Sequence, residues 1–130
     1  LNDTMQFHWG SYSIAFADKL IYFAGDTGYS THFERIAKRS GRSYDAVLMP
    51  IGAYKPRWFM EGAHIGPVEA LQASRTLQAT VMLPIHWGTL ALGDDLPSES
   101  ALFLQQLQQK QAPSDSLSIR IWRIGESLDL

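Results

Sequence analysis

Asp26 stands where a run of bulky apolar residues breaks off. The stretch YFAGDTGY, residues 22–29, delivers one carboxylate between Gly25 and Gly28. A carboxylate has two oxygens and can bridge two divalent cations, and flanking glycines let the chain turn sharply beneath it. The same residue could equally hydrogen-bond its own turn. His86, in PIHWGT, ends a second apolar run. A neutral imidazole is a good zinc ligand whose other ring nitrogen needs an acceptor; the alternative is a half-buried histidine beside Trp87. His64 lies just before Gly66-Pro67, where it could contact a substrate, orient a ligand or simply enter a helix. The segment GAYKPRWFM, residues 52–60, sets Lys55 and Arg57 among Tyr54, Trp58 and Phe59. A cation among aromatic rings can hold a phosphate while the rings meet an apolar chain, or the loop can pack back on its core. His8 reads as part of a first strand, and His32 as a solvated residue in the first turn of a helix.

These residues need elements to hold them. Tyr12, Ile14 and Phe16 alternate with Ser11, Ser13 and Ala15, the period of a half-buried strand. Asp18-Lys19 then serves as a turn, and residues 20–24 as a more buried strand, so the two form a hairpin. Thr31 and Glu34 fit a capping box; Phe33, Ile36 and Ala37 follow at helical spacing, and Gly41 stops the helix. Residues 46–49 form another short strand and residues 50–66 a long loop. Pro67 and Glu69 suit a helix start, and that helix runs to about Leu77. Residues 80–83 make a fourth strand. A helix beginning at Ser98 or Ser100 runs to about Gln109 and buries Phe103, Leu104 and Leu107. Ile119 and Ile121 mark a last strand, with Trp122 and Ile124 packed nearby.

Strands alternating with helices indicate an α/β layered architecture. LIYFAGDTG, AVLMPIGAY and VMLPIHWGT repeat one grammar, a buried strand opening into a glycine turn. If the strands are parallel, their carboxyl ends share the edge where such sheets bind ligands. Asp26 and His86 then occupy equivalent places after two of them.

Composition narrows the choice. The chain has 130 residues, suited to one domain, and 45% of them are hydrophobic, the balance of a globular core. The net charge is −2 with no basic block, which argues against nucleic acid as the main partner. There is no cysteine, so a metal must be held by His, Asp or Glu. The longest purely apolar run, residues 20–24, falls far short of the roughly 18 residues of a membrane span. The expected location is cytoplasmic or peripheral to a membrane.

FAGDTGY, PIGAYKPRWFM, His64 followed by Pro67-Val68-Glu69-Ala70, and IHWGT occur in this order. Together they resemble the carboxyl-terminal half of the metallo-β-lactamase-fold hydrolases, in particular the N-acyl phosphatidylethanolamine-hydrolysing phospholipase D group and its bacterial homologues. The resemblance covers the chain to about Leu90. It implies half of an αββα sandwich in which two divalent ions, usually zinc and otherwise manganese or iron, sit between two sheets. Asp26 matches the bridging aspartate, His86 the last histidine ligand, and His64 a histidine near the site with a catalytic role. Arg57, Tyr54 and Trp58 are the substrate-binding candidates. The first metal motif of that group, His-x-His-x-Asp-His, is absent, so residues 1–130 are expected to be the carboxyl-terminal half of a longer domain and inactive alone.

The implied activity of the complete domain is phosphodiester hydrolysis on a small-molecule or phospholipid substrate. A lactonase on the same fold is one alternative. Another is a non-catalytic half-domain that pairs with itself or with another chain. A lone half would leave one sheet face uncovered.

Overall fold

Alternation and apolar run pair as a hairpin. In the computed structural model, which describes residues 10–123, 125–127, 129 and 130, β1 (Tyr12–Phe16) lies antiparallel to β2 (Lys19–Phe23) with Ile14 opposite Ile21. The turn falls at Ala17-Asp18, one residue earlier than the sequence suggests, with Ala17 at φ 52°. The reason is register. Lys19 pairs with Phe16, and Leu20 donates its N–H to Asp45 Oδ2 at 2.8 Å, which draws the strand start back to Lys19.

After the hairpin the chain alternates helix and strand: α1 (His32–Ser40), β3 (Ala46–Pro50), α2 (Arg57–Met60), α3 (Pro67–Thr76), β4 (Val81–Ile85), α4 (Glu99–Gln109) and β5 (Ser118–Ile119). The sheet order is β1-β2-β3-β4-β5, and the pairs from β2 to β5 are parallel. Parallel neighbours need crossovers, and the helices supply them. The expected long loop after β3 contains the short α2. β5 is shorter than expected, and Ile121 lies beyond it, half-buried against the core. Ile124 and His8 lie outside the described residues.

Two caps differ from expectation. Thr31 makes no side-chain cap bond; Ser30 Oγ instead accepts the His32 N–H at 3.4 Å. Gly41, at φ 64°, ends α1 and donates its N–H to the Ala37 carbonyl. At α3, Pro67 occupies the first turn and Glu69 Oε2 accepts the Gly66 N–H at 2.9 Å.

One sheet face carries the core. Tyr22, Val47, Met82 and Ile119 align across β2 to β5 and pack with Phe33 of α1, Leu71 of α3 and Leu104 of α4. The alternate row, with Ile21, Phe23 and Leu48, belongs to the other face. On β1 that row is Tyr12, Ile14 and Phe16, which are 64%, 49% and 79% exposed. The strand expected to be half-buried is therefore exposed throughout: it is a sheet edge whose apolar side chains share the face opposite the helices. No helix among the described residues is long and apolar enough to cross a membrane.

Leu104 is fully buried. Its replacement by alanine should cost about 3 kcal/mol, from lost transfer energy and a residual cavity. Urea denaturation reads this, and an unchanged midpoint would show that α4 adds nothing to the core.

Acid should weaken the fold through two carboxylates. The Leu20 N–H, assisted by Lys19 and Arg42, holds the Asp45 carboxyl below its ordinary pKa. Arg75, followed by the Leu117 N–H, does the same for Asp115. A depressed folded pKa gives stability that is complete above the unfolded value, about 3.9. It is lost as pH falls through the lower folded values. Stability should thus decline below about pH 4, and Asp45→Asn should flatten that decline. Chemical denaturation across pH checks it; identical slopes in both proteins would remove Asp45 from the account.

Candidate metal centre

Three parallel strands end on one edge, and each sends a loop toward the same point. Asp26 follows β2, His64 lies in the loop after β3, and His86 follows β4 directly. The backbone must bend sharply to present them. His86 sits at φ 59° and Gly88 at φ 80°, a left-handed bend that costs a histidine about 1 kcal/mol or more and points to a demand from its surroundings. The Ile51 N–H donates to the Ile85 carbonyl at 3.1 Å, carrying the β3–β4 ladder right up to the site.

Two glycines permit the close approach of these loops. A Cβ on Gly52 would collide with the His86 carbonyl oxygen. A Cβ on Gly28 would lie 2.6 Å from the Gly62 carbonyl oxygen and 2.8 Å from that of Glu61. The loop bearing Asp26 is thus seated on the loop bearing His64, and the turn after β3 is seated on the backbone of His86. Neither demand shows as a periodic pattern, which is why sequence reading passes over both.

The side chains converge. One donor atom from each of Asp26, His64 and His86 lies within 4.8 Å of the others. His86 Nε2 is 3.4 Å from Asp26 Oδ1. The rings of His64 and His86 stack at 5.3 Å with 27° between planes. Burial lowers the His64 pKa; Asp26 opposes that shift and His86 adds to it. His64 is therefore held toward the neutral form that can donate a lone pair. Nδ1 of His64 and Nδ1 of His86 are both buried with no hydrogen-bond partner. Buried polar atoms are seldom left so, and two imidazoles, one of which presents Nε2 to the Asp26 carboxylate, are donors that suit a divalent cation. Among the described residues Asp26 makes no hydrogen bond within its own turn; the neighbouring Thr27 Oγ1 donates to the Gly28 carbonyl at 2.9 Å.

The other candidates lie elsewhere. Arg57 is engaged: Nη2 donates to Glu69 Oε1 at 2.7 Å and Nη1 to the His64 carbonyl at 3.0 Å. It thereby ties α2 to the start of α3 and fixes the His64 backbone. Tyr54 is 9% exposed, and its ring lies against Gly66; burial raises its pKa. Trp58 is 81% exposed and meets Phe59 edge-on. Lys55 pairs with Glu99. His32 is half-buried rather than solvated: Nδ1 lies 2.7 Å from Ser30 Oγ, and the ring packs on Phe33. Burial lowers its pKa, and Arg35 adds to that.

One residue near the site has no sequence signal at all. Asp95, 6% exposed, accepts the backbone N–H groups of Ala53 at 3.0 Å and Lys55 at 3.3 Å. Its partners are some forty residues away, so neither spacing nor composition could mark it.

Comparison with known proteins bears on this geometry. The family described as a beta-lactamase superfamily domain matches residues 1–87. The chain is similar to N-acyl-phosphatidylethanolamine-hydrolyzing phospholipase D 1 of Caenorhabditis elegans, 38% identical over 86 residues, which are 65% of this chain and 24% of that protein. It is similar to the mitochondrial N-acyl-phosphatidylethanolamine-hydrolyzing phospholipase D of Saccharomyces cerevisiae, 34% identical over 111 residues, which are 84% of this chain and 24% of that protein. This chain thus spans about a quarter of the length of either relative. Among solved structures, the fold is shared with Igni18, a metallo hydrolase from the archaeon Ignicoccus hospitalis. That match has a TM-score of 0.57 at 22% identity and covers 85% of this chain and 41% of Igni18.

Proposed function

The chain belongs to the beta-lactamase superfamily domain family, and from that premise we propose that it supplies one side of the metal centre of a hydrolase that cleaves phosphodiesters. The observation that carries this reading is the convergence of Asp26, His64 and His86 within 4.8 Å. The two phospholipase D relatives support the substrate class.

Asp26 and His86 would hold a divalent ion, zinc being the best match to imidazole and carboxylate donors in a chain without cysteine. The chemistry such an ion supplies is Lewis acidity, which promotes ionisation of water at neutral pH and stabilises developing negative charge. His64, held toward neutrality by burial, can add a third donor or accept a proton at a ring nitrogen within reach of the substrate. Arg57 acts on His64 rather than on substrate, since its guanidinium holds the His64 carbonyl and Glu69. Asp26 is 56% exposed and His86 21%, so the carboxylate is open to groups beyond this chain as well as to solvent. Three donors do not satisfy two ions of four or more ligands each. A complete two-ion site would draw its remaining donors from outside the described residues, which would leave the 130 residues alone inactive.

The test is an assay of the full-length protein containing this chain, loaded with zinc, against bis(p-nitrophenyl) phosphate, an N-acyl phosphatidylethanolamine and a lactone panel. Phosphodiester cleavage that a chelator removes supports the reading. Activity on lactones alone would remove it, and turnover by the isolated 130 residues would show that the donor set is complete within them.

A further inference from the structure

Between β4 and α4 the chain runs through residues 88–97 as a closed strap. The Gly88 N–H donates to the Pro97 carbonyl at 2.9 Å and joins the two ends. The middle is fixed to the turn after β3. Buried Asp95 accepts from Ala53 and Lys55, and the Asp94 N–H donates to the Lys55 carbonyl at 3.1 Å. Gly93 presses so closely on this turn that a Cβ would lie 2.8 Å from the Lys55 carbonyl oxygen. The strap is therefore anchored at its ends and in its middle, and the space beneath it is preformed.

That space is a cavity of about 170 Å³. His86 and Trp87 line it together with Gly52 and Ala53, while Leu90 and Leu92 also face it. Those two leucines are 67% and 59% exposed, so they form a rim rather than a floor. His86 faces both ways: Nε2 lies near Asp26, and the residue also lines the cavity.

We infer that this cavity is a subsite for one compact, uncharged apolar group of the substrate, an alkyl, short acyl or aryl group held beside His86. Its capacity sets the size, because a dry cavity of about 150 Å³ takes up benzene. Its lining sets the polarity: apolar walls favour carbon, and the Asp95 carboxylate in the same wall disfavours an anion. A longer chain would leave over Leu90 and Leu92. The subsite rests on the hydrolase reading, which makes His86 the neighbour of the bond to be cleaved.

NMR titration of the full 130-residue chain with benzyl alcohol tests it. The expected result is saturable shifts at Trp87, Leu90 and Leu92. Leu92→Asp, at an exposed rim position that the fold does not need, should weaken binding by at least about tenfold. Val68→Asp, on α3 away from the cavity, should bind as the parent does. Equal binding by Leu92→Asp, or shifts confined to Tyr12, Ile14 and Phe16 on the open sheet face, would overturn the subsite. Zinc titration of the full-length protein reads the group of Asp26 and His86 separately. Zinc binding without probe binding removes the subsite alone; probe binding without zinc binding supports the cavity and counts against the metal reading.

Discussion

Asp26→Asn should bind zinc at least about a hundredfold more weakly than the parent while keeping its fold. Loss of a mere supporting contact around a metal costs 10- to 100-fold in affinity, and loss of a ligand oxygen's charge should cost more. The amide retains the size of the carboxylate, so packing is unchanged. Asp26 is mostly exposed, with its side chain at 56%; thermal stability of the metal-free protein should therefore not move. His86→Ala should show the same loss, because it removes the nitrogen facing Asp26 at 3.4 Å. Competition with a chromophoric chelator measures the affinity, and circular dichroism checks the fold. The opposite pattern, lower stability with unchanged zinc affinity, is what an aspartate serving only its own turn would give. It would end the metal reading for this residue.

The second large effect is structural. Gly52→Val should destabilise the protein by about 3 kcal/mol or more, because the added carbon meets a backbone carbonyl rather than a flexible side chain. That carbonyl belongs to His86, so the damage falls on the candidate metal centre as well as on the sheet. Relief requires either the turn after β3 or the end of β4 to shift. The first also breaks the two hydrogen bonds to Asp95, and the second moves His86 away from Asp26. Urea denaturation should report the loss of stability and zinc titration a parallel loss of affinity. A Gly52→Val protein as stable as the parent would mean that the two loops are not in register as described. Gly41→Ala makes a useful contrast: nothing lies within 4 Å of a Cβ there, and only the positive φ opposes it, a cost of about 1 kcal/mol.

The two glycines also mark a boundary in what could be read beforehand. The strands were legible because their signals are local: alternation at residues 12–16, and apolar runs opening into glycine turns after residues 23, 50 and 85. The placement of Asp26 and His86 on one edge followed once those runs were taken as parallel neighbours, and the register Ala46–Val81 and Ile21–Ala46 bears that arrangement out. The helix over residues 67–76 was legible for the same reason, from Pro67 and Glu69 at its start. Errors came where a local signal competed with a distant partner. The Thr31 box yielded to Ser30, and the hairpin turn moved by one residue when Asp45 captured the Leu20 N–H.

By itself, then, the order of residues determined that this is an α/β sheet with an acid and an imidazole at strand ends, because strand period, turn chemistry and strand-end position are properties of short segments. Only the tertiary structure decided that His64 joins Asp26 and His86, that Arg57 is spent on Glu69 and a backbone carbonyl, and that Asp95 pins a strap over a cavity beside His86. Each of those depends on residues brought together by loops of irregular backbone, whose paths are set by close contacts such as Gly28 on Gly62 and leave no repeat in the sequence.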